Sequence, residues 1–164
     1  MLVEPASNIA PSPNFLSACG PAVYNDAPGC VWQVVTAIDN ARAAEGLAPM
    51  ILPTNWTTIT PPEQLFVATN LERTVRGLAP LSAMATVLDA AATQAATAAV
   101  DPEVPAGFFW TFFGGNWAGT VGNPLEAVYY WMYDDGLGSG NIDCTSSNLF
   151  ACWEHRRNVL SVLA

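Results

Sequence analysis

The chain contains no lysine; its five cations are the arginines Arg42, Arg73, Arg76, Arg156 and Arg157. Against them stand 14 acids, for a formal charge of −9. The basic surface that neutralises phosphates is therefore missing, which excludes an ordinary nucleic-acid binder and disfavours docking on an anionic membrane. There is a single histidine, His155, and no C-x-x-C spacing, so the usual zinc ligand sets cannot be assembled. No G-x-S-x-G elbow is present. No apolar run reaches the roughly 18 residues of a membrane-spanning helix, so no transmembrane segment is expected. Residues 1–14 have neither a basic n-region nor an apolar h-region and do not read as a signal peptide. If the protein is exported, its signal is expected to have been removed or to lie upstream of this stretch.

Charged residues make up only 12% of the chain and apolar ones 51%, much of it alanine. At 164 residues the length is that of one domain with a real core. The four cysteines form two local pairs, Cys19 with Cys30 around a Gly/Pro-rich segment and Cys144 with Cys152 around a Ser/Asn-rich one. Both loops are polar and breaker-rich, where a covalent staple restricts the unfolded chain most usefully. Two structural disulfides are the reading, against four buried free thiols. They imply an oxidising compartment, extracellular or at the cell envelope.

Residues 1–30 hold five prolines and read as an irregular arm tied down by Cys19, with a single domain over 31–164. Val31, Val34, Val35, Ile38 and Ala41 share one face of a helix that Gly46 ends. Met50–Leu52 is a possible short strand. Thr60, two prolines and Glu63 form a capping box that opens a second helix, stopped at Gly77. Ser82–Ala99 has a stripe of Met84, Val87, Leu88, Ala91, Ala92 and Ala95, whose many alanines suggest a helix pressed against its neighbours. The aromatic run Phe108–Phe113 and the Gly114–Gly119 stretch break the helical rhythm. Asn123–Glu126 opens another helix closed by Gly136, and Trp153–Leu163 reads as the last. Residues 37–49 and 68–80 echo each other 31 residues apart, matching Arg42 with Arg73, Gly46 with Gly77 and Pro49 with Pro80. Two copies are too few for a solenoid, so the echo reads as the same helix-end chemistry used twice.

Two stretches look like a known family. Asn70-Leu-Glu-Arg73 followed by Gly77-Leu-Ala-Pro-Leu81, and Trp131-Met132 followed by His155-Arg-Arg-Asn-Val-Leu160, resemble signatures of bacterial CAP-superfamily (SCP-like) extracellular domains. The resemblance implies an α+β fold, the α-β-α sandwich of that family. Here it would be helix-dominated with a reduced or incomplete sheet, since the family continues past the His155 helix into strands. It also implies a cleft of two histidines and two acids, which some members use to bind a divalent metal. In this chain the first histidine falls near Ala95, the Gly-Glu-Asn acid is replaced by Gly115, and the later acid maps at best to Asp134. Only His155 is kept. No metal or other cofactor is therefore expected.

His155 reads either as a cleft base or as a locally bonded helix histidine. Glu154 adjoins it and points about 100° away on a helix, so Asp134 is the better acidic partner. Trp110, Phe112, Trp117 and Trp131 could stack on a sugar or line a lipid cleft, or else pack as a satellite core beneath a long loop. Asn70 and Arg73 read as groups that satisfy buried backbone. Asn55-Trp-Thr57 fits a glycosylation sequon, a weak signal on its own.

The expected function is a secreted, non-enzymatic domain that binds a lipid, glycan or protein partner at the cell envelope. Its cleft would lie between the Trp131 and His155 helices and the aromatic loop. The alternatives are a degenerate hydrolase of cell-wall polymers or peptides using His155 and Asp134, and a purely structural interaction module. For the cysteines, the expected outcome is an intact mass about 4 Da lower without reductant than with it, one hydrogen lost per sulfur. Equal masses would mean free thiols.

Overall fold

The computed structural model describes residues 4–20, 24–107, 109 and 112–162. Among the described residues six α-helices follow one another: α1 (Leu16–Cys19), α2 (Pro28–Ala44), α3 (Pro61–Val75), α4 (Thr86–Ala98), α5 (Pro124–Tyr133) and α6 (Glu154–Val159). Single 3₁₀ turns occur at Trp56–Thr58 and Leu149–Ala151. None of these helices is long and apolar enough to cross a membrane.

The expected α+β sandwich is not what forms: among the described residues there is no sheet, only an isolated bridge between Thr145 and Asn148. The reason lies in where the extended segments send their backbone groups. Met50 donates its N–H to the Asp39 carboxylate at 2.6 Å. In the 114–119 stretch the carbonyls of Gly115 and Trp117 accept from Asn158 and from the Trp131 indole. Side chains satisfy these groups, and no strand pairs with them.

α5 is the centre of the molecule. Its N-cap Asn123 accepts from the N–H groups of Leu125 and Glu126, with Pro124 in the first turn. Eight of its ten residues are buried, because it packs against α2, α3 and α6 at once; a helix apolar all round is a core helix. Residues 1–30, expected to be an arm, supply part of this core. Phe15 is fully buried and meets Tyr129 edge-on at 5.2 Å, while the Tyr129 hydroxyl donates to the Ile9 carbonyl at 2.6 Å. The Cys19–Cys30 disulfide joins α1 to α2, and a second links Cys144 to Cys152.

The 31-residue echo is physical. At Gly46 and Gly77 the chain turns with φ of 72° and 74°, and Leu47 and Leu78 donate back to the carbonyls of Arg42 and Arg73, the bonding of a Schellman end. Each arginine then donates to the carbonyl six residues on, Ala48 and Ala79. Asp39 and Asn70 likewise accept from the N–H groups of Met50 and Leu81. Asn70 and Arg73 thus do satisfy backbone, as expected. Arg73 also donates to Val159 at 2.7 Å and Ser161 at 2.9 Å, tying α3 to the end of α6.

Arg42 goes elsewhere, into a buried ion network. Its Nε and Nη2 donate to Oε1 of Glu72 at 3.1 and 3.0 Å. The other Glu72 oxygen accepts from Arg76 and, at 2.8 Å, from the Tyr133 hydroxyl. Arg76 continues to Glu45 at 2.6 Å, and Glu45 to Arg156 on α6 at 2.9 Å. Burial opposes ionisation of Glu45, yet Arg156 and Arg76 hold its carboxyl below the usual range.

α4 departs from expectation. Only Ala95 on it is buried, and Met84 and Leu88 are exposed. The alanines do not press this helix onto the bundle; it stands off, and a groove opens beneath it.

Because Glu72 pairs with two buried guanidinium groups and Arg42 has no other carboxylate among the described residues, Glu72→Ala should destabilise the fold by about 3–5 kcal/mol, the usual cost of an orphaned buried charge. Urea unfolding measures this; a loss below about 1 kcal/mol would show that the network carries no stability.

Candidate functional site

His155 lies in the first turn of α6, and α6 is fixed from three sides. Arg156 donates to the Met132 carbonyl and pairs with Glu45. Asn158 bonds Gly115 and Asn116, at 3.1 and 2.9 Å. Asn116 in turn donates to the His155 carbonyl at 3.0 Å. The helix is only six residues long and begins after Trp153, held at φ 62°, so the imidazole is placed by its neighbours and not by helix propensity.

Its partner is Asp135, not the expected Asp134. Nδ1 of His155 lies 2.7 Å from Oδ1 of Asp135, and the same oxygen accepts from Asn141 Nδ2 at 2.7 Å. Asp135 is 2% exposed. A carboxylate at Nδ1 fixes a proton there and leaves Nε2 as the reactive nitrogen. Nε2 faces Asp101, whose carboxylate is 3.7 Å away and half exposed. Burial, the largest single influence, disfavours the imidazolium. The hydrogen bond and charge of Asp135, then Asp101 and Glu154, outweigh it and raise the His155 pKa above its ordinary value.

Two chambers border His155. One, of about 230 Å³, is walled by Phe113, Gly114, Glu154 and Asn158. The other, of about 320 Å³, brings together four of the residues singled out in the sequence: Trp117, Trp131, Asp134 and His155. Tyr130 and Asp143 complete its wall. Trp117 rests its ring on Gly119, where a side-chain carbon would come within 2.6 Å of the indole. Across Trp117 and Trp131 lies the α4 groove, about 750 Å³, lined by Leu65, Phe66, Leu81, Met84 and Leu88. Phe112 is half exposed and does not line the second chamber; Trp110 lies outside the described residues.

Asp134, the residue α5 ends on, keeps a half-buried carboxylate with no side-chain partner among the described residues. Burial, and then the charge of Asp135, raise its pKa. Among the described residues, only Cys19, Cys30 and Glu126 place three potential ligand atoms within reach of one ion. Both sulfurs are locked in a disulfide, so this is not a thiolate metal site. Among the described residues no serine or cysteine lines either chamber, although Thr120 lines the second.

Sequence reasoning missed Asp135, Asn141 and Asp101. Asp135 carried a signal: it and Asp134 are adjacent acids directly beyond the Trp131 helix. The pKa shift generates a prediction. His155 should titrate above the ordinary imidazole value of about 6.5, and Asp135→Asn should bring it down. Since the folded pKa is raised, the stability contributed by the charged pair is complete below the unfolded value and is lost as pH rises through the folded one. Titration of the His155 ring proton by NMR decides this; a value unmoved by Asp135→Asn would remove Asp135 as the cause.

Comparison with family models, curated proteins and solved structures found no match to this chain.

Proposed function

We propose that this chain is an extracytoplasmic binding domain, non-enzymatic, whose site is the cleft walled by Trp117 and Trp131 above His155. One observation carries the reading: residues distant in sequence, Trp117, Trp131, Asp134 and His155, converge on a single chamber that adjoins a large apolar groove. Concave sites with apolar walls and a few converging polar groups are the usual form of a small-ligand site. The two disulfides favour an oxidising compartment such as the cell envelope. The two stretches resembling the CAP superfamily also meet in space, through Arg73 and the end of α6. That contact supports the kinship without the sheet that kinship would imply.

A second reading, hydrolysis of an envelope polymer or peptide, is favoured by the Asp135–His155 pair. Nε2 could draw a proton from water, which would then attack the scissile bond. If that reading holds, the wild type turns over peptidoglycan or a peptide and His155→Ala abolishes it. No turnover by the wild type would remove it.

For the binding reading, the neutral fluorophore N-phenyl-1-naphthylamine should bind one equivalent, with brightened emission. Leu88→Glu, an exposed position in the groove, should weaken binding roughly tenfold or more, as a buried charge with no partner must, with an unchanged circular dichroism spectrum. Failure of the fluorophore to bind, or equal binding by Leu88→Glu, would sink the proposal.

A further inference from the structure

The 320 Å³ chamber and the 750 Å³ groove share a wall made by Trp117, Gly119, Thr120 and Trp131. Their chemistry differs. The groove side is mainly aliphatic and aromatic, from Leu65 and Phe66 on α3 to Met84 and Leu88 at α4, with Asp89 as the one carboxylate among its lining residues. The chamber side presents Asp101, Asp134, Asp135 and Asp143 with the rings of Tyr130, Trp117 and Trp131. Resting on the binding proposal above, we infer that the ligand is a single-chain amphiphile with a cationic ammonium head, its tail in the groove and its head in the acidic chamber.

Charge decides the head. Four carboxylates and one imidazole line the chamber, and no arginine does. The chain has no lysine, and Arg42, Arg73, Arg76 and Arg156 all point into the bundle, where carboxylates or carbonyls take them up. An anionic head would meet like charge, with only the imidazole of His155, already engaged by Asp135, to set against it. Asp135 is already shared by His155 and Asn141, but Asp134 is half-buried with no side-chain partner among the described residues, beside a second carboxylate. An ammonium group supplies the missing counter-charge. Aromatic faces next to carboxylates are the surroundings that bind quaternary ammonium groups best.

The tail follows from the groove. Met84 and Leu88 are large apolar side chains left exposed because α4 stands off from the other helices. An alkyl chain laid there covers them and gains the transfer free energy of its own methylenes. Neither half suffices: the chamber alone would hold a small cation weakly in water, and the groove alone would not discriminate among heads.

The test uses three probes with the same twelve-carbon tail, below their micelle concentrations and at physiological salt: dodecyltrimethylammonium, dodecyl maltoside and dodecyl sulfate. Each competes with N-phenyl-1-naphthylamine. We expect the ammonium probe to compete roughly tenfold more tightly than the maltoside, and the sulfate most weakly. Asp101→Asn with Asp134→Asn should erase the ammonium advantage and leave the maltoside unchanged. Asp26→Asn with Glu4→Gln, which makes the net charge less negative by the same amount at residues that line neither cavity, should preserve it. Equal competition by ammonium and maltoside would overturn the head assignment while leaving the binding site in place. So would an advantage lost as fully in the remote double variant, since net charge would then explain it. No competition by any probe would overturn both the head assignment and the tail site.

Discussion

The carboxylate of Glu72 is the constraint on which the architecture depends. It is fully buried and accepts from Arg42 on α2, Arg76 at the C-cap of its own helix and Tyr133 on α5. A chain with so little charge has placed much of it inside. Exchanging a buried pair for apolar side chains is often neutral or favourable; removing one member is costly. The network therefore acts chiefly on geometry. It admits one registry of α2, α3 and α5, and through Glu45 and Arg156 it carries that registry to α6. The position of His155 follows from it.

The repeated helix end shows how a similar local design serves two purposes. α2 and α3 finish with the same glycine turn, with an arginine in the last turn capping a carbonyl further along and an aspartate or asparagine holding the backbone beyond. Up to that point the two copies are interchangeable. The remaining donors of Arg42 go to Glu72, whereas those of Arg73 go to the last carbonyls of α6. A cation at a helix C-terminus is favourable in itself, and here it also fastens a six-residue helix that could not persist alone.

The cleft combines a rigid part with a loosely covered part. Asp135, Asn141 and His155 are locked by mutual hydrogen bonds on well-packed backbone. α4 contributes a single buried residue, and its apolar face looks onto open space. Polar groups at one end and accessible apolar surface at the other are the features on which the proposed recognition of a ligand with two unlike ends rests. The imidazole has a carboxylate to orient it, and among the described residues the hydroxyls at the second chamber belong to Thr120 and Tyr130, not to a serine.

The sequence by itself determined what local chemistry can determine. The capping residues Thr60, Glu63 and Asn123, the terminating glycines Gly46 and Gly77, the two cysteine pairs and the bonds of Asn70 to Leu81 and Arg73 to Ala79 all act within about a dozen residues, and each was legible. Convergence of Trp117, Trp131 and His155 was legible only as an expectation drawn from a family likeness. Tertiary structure decided the rest. α5 stops at Tyr133, so Asp134 and Asp135 sit on irregular backbone where helical phase no longer says which one faces His155. The sheet failed to form because side chains, not strands, took the extended backbone. Glu72 shows why such things stay hidden. Its partners lie 30 and 61 residues away as well as four, and nothing local distinguishes a glutamate destined for the core from one on the surface.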